Sequence, residues 1–309
     1  MLTVSNLVKL YGNEKALDNL SFTGKSGEII GLIGPNGAGK STAMNIITGY
    51  LAPTSGEVEI NGFNIQTNPI EARKSTGFLP ETPPLYTKMT VYEYLNFAAE
   101  LKGIKKDRNK CVKSVIERLS LEEVQNKLTG TLSKGYRQRT GMAQAIINNP
   151  RLLILDEPAS GLDPRQITEM NSLILSLKSD SLIILSSHQL KEVYNLCDKI
   201  LLINKGKLLF SGTSSEISAG LKNKETAMEL VLSYNGVSAD SVILENGFAI
   251  TSKTEKTDRV KYLLTWTGKS EKKDLLISKL LEKGFSLVSL KLRDNNLEEL
   301  YLKLTEEKK

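Results

Sequence analysis

The chain has 309 residues, with 41 Lys and Arg against 35 Asp and Glu, a formal charge of +6. Hydrophobic residues make up 40% and charged residues 25%, a globular balance that excludes a mainly disordered, collagen-like or disulfide-dense chain. At ~150 residues per domain the length predicts about two domains.

Taken in chain order, the sequence alternates short apolar strands with amphipathic helices. Thr3 to Leu7 and Ala16 to Thr23 read as antiparallel strands. Glu28 to Ile33 is a continuous apolar strand that runs into a glycine-rich turn and a helix, Ser41 to Thr48. Gly56 to Ile60 followed by Asn61-Gly62 predicts a strand and a hairpin turn. Val91 to Lys102 and Cys111 to Leu119 carry apolar residues at helical spacing. Leu152 to Asp156 and Ser181 to Ser186 are buried strands flanking the helix Arg165 to Leu177, and that order predicts a parallel α/β core.

Beyond about Gly212 the character changes. Ser211 to Ser215 is small and polar and reads as a linker. Ala227 to Ser233, Lys261 to Trp266 and Phe285 to Leu292 look like strands, and Lys272 to Lys283 and Leu297 to Leu304 like helices. The expected division is residues 1–220 as the main α/β domain and 221–309 as a small α+β appendage.

The two cysteines, Cys111 and Cys197, stand far apart, and no CxxC or His/Cys cluster occurs. That fits a reducing compartment and excludes a thiolate metal site. A spanning helix needs about 20 apolar residues in a row. The best runs, Leu152 to Leu155, Leu182 to Leu185 and Ile200 to Ile203, are far shorter. The N-terminus alternates polar and apolar residues and lacks the pattern of a signal peptide. The pI near 9.0 suits either a solvated surface or an anionic partner.

The strongest chemical signal is Gly34-Pro35-Asn36-Gly37-Ala38-Gly39-Lys40-Ser41-Thr42, a full GxxxxGK[ST] match between a strand and a helix. Glycines let backbone N–H groups turn inward around a phosphate, and the helix N-terminus adds unpaired donors and a positive dipole end. Lys40 is then expected to reach the β- and γ-phosphates, and the Ser41 hydroxyl to ligate Mg²⁺. A second motif, Leu152-Leu153-Ile154-Leu155-Asp156-Glu157, places two acids at a strand's C-terminal end, where ligands sit in open α/β sheets. Asp156 would hold Mg²⁺, and Glu157 would polarise an attacking water.

Leu132-Ser133-Lys134-Gly135-Tyr136-Arg137-Gln138-Arg139 resembles the LSGGQ signature of ABC ATPases. Ser160-Gly161-Leu162-Asp163 resembles that family's D-loop, and the sole histidine, His188, stands where its switch histidine belongs. Tyr11 sits where the family places an adenine-stacking aromatic. The resemblance covers roughly residues 2–215, with its motifs in the family's order. It implies a P-loop ABC cassette: a parallel sheet core, an antiparallel β subdomain and a helical subdomain. It also implies that His188 senses the γ-phosphate, that Ser133 and Gly135 serve the ATP site of the opposite subunit, and that Asp163 of the D-loop belongs to the ATP site. One phosphate loop and one signature per chain then imply a homodimer or heterodimer around two ATP.

The sequence departs from the family pattern in three places. Glu81, after Gly77-Phe78-Leu79-Pro80, occupies the position of the usual Q-loop glutamine and could ligate Mg²⁺ or hold water. Lys134 and Tyr136 replace Gly and Gln of the signature. These changes are similar to the drug-export and ABC-2 branch, with its gliding-motility-associated members.

The resemblance thus implies an ATP-hydrolysing transporter subunit, cytoplasmic and peripheral on the inner membrane face, that drives a separate transmembrane permease, in export. Alternatives are an importer ATPase or a soluble ABC ATPase of translation or DNA repair. No nucleic acid partner is expected, because neither a second cassette nor a coiled-coil insertion is present. Glu81 to Tyr86, with Tyr92 and Tyr94, is expected to form an exposed aromatic docking groove, stiffened by Pro83-Pro84.

Overall fold

The computed structural model describes residues 1–187, 190–213, 216, 226–233, 236–266 and 271–293. It divides into two compact units, Met1–Ser214 and Ser215–Lys309. The expected boundary after residue 220 lies outside the described residues, as do His188 and the expected helix Leu297 to Leu304.

The first unit contains two sheets. Leu2–Tyr11 (β1), Glu14–Gly24 (β2), Ser55–Ile60 (β4) and Phe63–Asn64 (β5) form an antiparallel sheet in the order β2-β1-β4-β5. Alternation along β1 and β2 turns Leu7, Leu17 and Leu20 inward, each fully buried.

The second sheet has the order β10-β9-β3-β8-β7-β6. It comprises Ile29–Ile33 (β3), Thr76–Leu79 (β6), Leu152–Leu155 (β7), Leu182–Ser186 (β8), Lys199–Asn204 (β9) and Lys207–Thr213 (β10). β6, β7, β8, β3 and β9 run parallel, and β10 closes the edge antiparallel to β9. Every residue of β3, β7 and β8 is buried, as strands covered on both faces require. At ~1.5–3 kcal/mol per buried aliphatic side chain, these short runs supply much of the core's driving force.

Lys40–Ile47 (α1) follows β3 and buries Met44, Ile46 and Ile47 against both sheets. Pro69–Lys74 (α2) precedes β6. A helical layer comprises Val91–Leu101 (α3), Arg108–Arg118 (α4) and Lys134–Ile146 (α5). Thr90 starts α3 with a capping box: its hydroxyl accepts from the Glu93 N–H at 3.2 Å, and the Glu93 carboxylate accepts from the Thr90 N–H at 2.8 Å. Pro164–Leu177 (α6) links β7 to β8, and Leu190–Leu196 (α7) links β8 to β9.

The second unit is Thr226–Ser233 (β11), Asp240–Glu245 (α8), Ala249–Glu255 (β12), Arg259–Trp266 (β13), Glu271–Glu282 (α9) and Leu287–Arg293 (β14). Its antiparallel sheet has the order β12-β13-β11-β14, the split βαβ arrangement of a βαββαβ fold. Met228, Leu230, Tyr262, Leu264 and Trp266 share a core with Val242 and Ile243 of α8 and Leu276 and Leu280 of α9.

Three expectations are corrected. The anticipated linker Ser211 to Ser215 is strand through Thr213, because Ser211, Gly212 and Thr213 pair with Leu201, Ile200 and Lys199 of β9. An exposed edge strand tolerates small polar residues, so composition misled there. Phe285 precedes β14 and packs in the core. Tyr94 is 3% exposed, so it faces inward and is not an exposed docking aromatic.

Candidate functional site

The site forms at the C-terminal ends of the parallel strands, where the crevice of an open α/β sheet lies. Gly34 to Gly39 link β3 to α1. A Cβ built on Gly34 would lie 2.2 Å from the Ile203 carbonyl oxygen, and one on Gly39 would lie 2.5 Å from that of Ala16. Gly39 also holds φ 105°, a left-handed value that side chains rarely accept. The loop therefore closes onto β9 and β2 only because both residues are glycine. Gly37 has positive φ as well. Asn36 and Gly37 are exposed, Pro35 is half-buried and Ala38 is buried. Ala38 lends its carbonyl to the Gly206 N–H at 2.9 Å, which ties the loop to the β9–β10 turn.

Lys40 is 8% exposed. Its Nζ donates to the carbonyls of Gly34 at 2.7 Å and Pro35 at 3.1 Å. The ammonium thus curls over the mouth of the loop, where an anion would sit. Burial pushes the Lys40 pKa below the ordinary lysine value, while the Glu157 and Asp156 carboxylates oppose that shift. β3 and β7 flank β8 in parallel, so the loop after β3 and the acids after β7 open at the same end of the sheet. Ser41 is exposed and Thr42 half-buried in the first turn of α1.

Asp156 and Glu157 leave β7, and the Asp156 N–H donates to the Leu79 carbonyl at 2.8 Å. Ser186, at the end of β8 between β3 and β7, donates its hydroxyl to Asp156 Oδ1 at 2.6 Å. The Ser186 hydroxyl oxygen in turn accepts from the Glu157 N–H at 2.9 Å. Glu157 has φ 48°, a left-handed conformation that costs a non-glycine residue of order 1 kcal/mol. Ser186 is the residue sequence reasoning missed: one hydroxyl holds the Asp156 carboxylate and the Glu157 backbone N–H. A serine ending an otherwise apolar strand, Leu182 to Leu185, was its only signal.

The signature residues gather elsewhere on the same unit. Ser133 caps α5 and accepts from the Tyr136 N–H at 3.4 Å, a long contact that leaves its hydroxyl exposed. Gly135 is buried against the Gln166 amide, 2.9 Å from where its Cβ would be. Asp163 caps α6, its carboxylate accepting from the Gln166 N–H at 2.9 Å. Lys134 lies over the D-loop: a Cβ on Gly161 would stand 2.1 Å from its Nζ. Arg139 of α5 pairs with Glu169 of α6. The N-termini of α5 and α6 are therefore held side by side, beside a cleft of about 620 Å³ lined by Tyr136, Arg139 and Asp163.

Tyr11 ends β1, 52% exposed, with Lys9 Nζ 5.3 Å from its ring. Glu81 is exposed just past β6. Ser41, Asp156 and Glu81 offer only oxygen, the hard donor set that suits Mg²⁺. A magnesium site at bound phosphate uses one or two protein carboxylates with substrate oxygens, so this small set fits.

The ABC transporter family model matches residues 17–160. The chain is 34% identical over 306 residues to the bacitracin transport ATP-binding protein BcrA of Bacillus licheniformis, covering 98% of this chain and 97% of that one. It is 30% identical to the linearmycin resistance ATP-binding protein LnrL of Bacillus subtilis, over 99% and 98% of the two chains. A solved ATP-binding subunit of an ABC transporter superposes with a TM-score of 0.67 at 30% identity, over 79% of this chain and 98% of that one. A dimeric cassette in a post-hydrolysis state with ADP and Pi superposes with a TM-score of 0.64 at 26% identity, over 69% and 99%. With the phosphate loop, the acid pair and the signature caps in one α/β unit, the chain belongs to the ABC transporter family as one of its ATP-binding subunits.

Proposed function

We propose that this subunit hydrolyses ATP to drive a separate membrane permease in export, as an antibiotic-handling transporter would. The export reading is supported by end-to-end similarity to a bacitracin transport protein and a linearmycin resistance protein. The observation that carries the catalytic reading is the convergence of buried Lys40 with Asp156 and Glu157 at one end of the sheet.

In this reading backbone N–H groups between Asn36 and Ser41 grip the phosphates of ATP, and Lys40 exchanges its two loop carbonyls for β- and γ-phosphate oxygens. Tyr11 stacks on adenine. Mg²⁺ bound at Ser41 and Asp156, with Glu81 nearby, would neutralise phosphate charge. Glu157, aimed by Ser186 through its own N–H, polarises the attacking water. His188 senses the γ-phosphate. Ser133 and Gly135 present an exposed helix N-terminus to the γ-phosphate held by a second subunit, and Asp163 serves the same interface. Residues 1–220 act as the cassette and 221–309 as an appendage.

The permease docks on exposed aromatics beside β6. Tyr86 is 55% exposed and lies edge-on to Phe97, with ring centroids 5.5 Å apart. Tyr50, 77% exposed, lies 5.7 Å from Phe78. Buried Tyr94 supports this surface from below, its ring 6.2 Å from Tyr86. Burial, with Tyr86 and Tyr50 nearby, pushes its hydroxyl pKa up to about 12, so it stays a neutral donor to Gln144.

Affinity capture from membranes tests the reading. Recovery of a multi-span protein that stimulates ATP turnover is expected. Recovery of ribosomes or DNA would replace it with the non-transport alternative.

A further inference from the structure

One short stretch of the chain is densely basic. Residues 102–113 carry six cations, Lys102, Lys105, Lys106, Arg108, Lys110 and Lys113, against the single carboxylate of Asp107. That local surplus of five stands against +6 for all 309 residues. The stretch is the α3–α4 turn and the first turns of α4.

Few of these cations have a local partner. Arg108 pairs with Glu100 at 2.8 Å, and Lys102 donates to the Thr76 carbonyl at 2.9 Å. Lys105, Lys106, Lys110 and Lys113 are exposed and have no ion pair among the described residues. α4 also opens against electrostatic preference. Its first turn holds Arg108 and Lys110 and no acid, although a helix N-terminus favours carboxylates by ~0.3–1 kcal/mol each. Asp107 at the cap makes no side-chain cap bond and sits at φ 57°. Local helix stability does not explain this arrangement.

Two features select the anion. Leu101, 72% exposed, ends α3 where the basic turn begins, and the turn itself holds half-buried Ile104. Cations combined with an exposed aliphatic side chain suit the headgroup–acyl boundary of a bilayer. Residues 102–113 contain no aromatic residue on which nucleic acid bases could stack. The turn follows α3, the helix that carries Phe97 of the docking aromatics.

We infer that the α3–α4 basic turn, with Lys105, Lys106, Lys110 and Lys113 and the exposed Leu101 that precedes them, is a contact surface for anionic phospholipid headgroups. It holds the subunit against the membrane face while the permease occupies the docking aromatics, and in that placement it rests on the permease reading above.

The test is flotation of the purified full-length subunit with vesicles of phosphatidylcholine alone or enriched in phosphatidylglycerol. The wild type is expected to float only with the anionic vesicles. It should detach as salt rises from about 0.1 M to about 1 M, which shortens the screening length from roughly 10 Å to 3 Å. Each lysine changed to glutamine should lower partitioning about fivefold, and the four together on the order of several hundredfold. Leu101→Ser should also weaken binding to the anionic vesicles at about 0.1 M salt. Vesicle-free ATP turnover of the exposed-site variants should equal wild type, which establishes that they fold. Failure to bind anionic vesicles, equal binding by the quadruple variant, or retention on single-stranded RNA in place of vesicles would each overturn the inference. The readout needs no permease, so its failure is distinct from failure to recover one from membranes.

Discussion

The phosphate loop and the signature cap are both helix N-termini suited to phosphate, yet they are built to opposite standards. The phosphate loop is clamped before any ligand arrives. Gly34 and Gly39 abut the carbonyls of Ile203 and Ala16, Ala38 is bonded to Gly206, and Lys40 is buried on the loop's own carbonyls. The signature cap is exposed, its serine hydroxyl making one 3.4 Å contact. A preorganised cradle loses little entropy on binding, so the first surface should bind ATP by itself. The second has spare hydrogen-bonding capacity and should matter only when another subunit delivers phosphate to it.

The sharpest way to break that contrast is to separate binding from turnover. Glu157→Gln should cut turnover by about 10²–10⁴-fold while ATP still binds and a dimer accumulates on sizing chromatography. Near-normal phosphate release would remove Glu157 from the mechanism. Lys40→Ala should weaken ATP binding by roughly tenfold or more, the loss of a charge-assisted contact of ~1.5–3 kcal/mol, as calorimetry on the monomer would read. An unchanged affinity would mean that the loop does not use its lysine. Gly39→Ala places a side chain at φ 105° against a backbone oxygen, and should lower stability by about 1–3 kcal/mol in thermal melts.

Ser133→Ala should leave monomer ATP affinity intact, reduce turnover and cost about 0.5–2 kcal/mol through the lost cap. Equal losses of monomer affinity from Ser133→Ala and Lys40→Ala would erase the distinction between the two surfaces. The smallest effect is on pH dependence. Lys40 is held below the ordinary lysine pKa, chiefly by burial. Because only the charged form binds phosphate well, ATP affinity should be flat below that lowered pKa and decline above it. The decline should begin at lower pH than an ordinary lysine allows. Calorimetry across the alkaline range checks the onset.

Much of the site was legible because its chemistry is local in sequence. A loop that wraps phosphate needs its glycines, lysine and hydroxyl at fixed spacing, and strand ends in an α/β sheet put acids in the crevice. The parallel core was legible for the same reason: β3, β7 and β8 are buried on both faces and read as unbroken apolar runs. Ser186 was not legible, because its role depends on β8 lying between β3 and β7, a neighbourhood that no local pattern encodes. The short helices α2 and α8 and strand β12 also escaped notice, since a single helical turn or a half-exposed strand leaves little periodicity.

Sequence alone therefore determined the chemical vocabulary: a phosphate loop, an acid pair, a signature and an α/β core. Hydrophobic period and steric demand act over a few residues, which is why those features can be read there. Tertiary structure decided which words meet. It set Ser186 between two acids and laid Lys134 over Gly161. It also turned Tyr94 inward and Tyr86 outward, and made an expected linker the edge strand β10. Those outcomes follow from strand order and register, which are fixed by packing across the whole core.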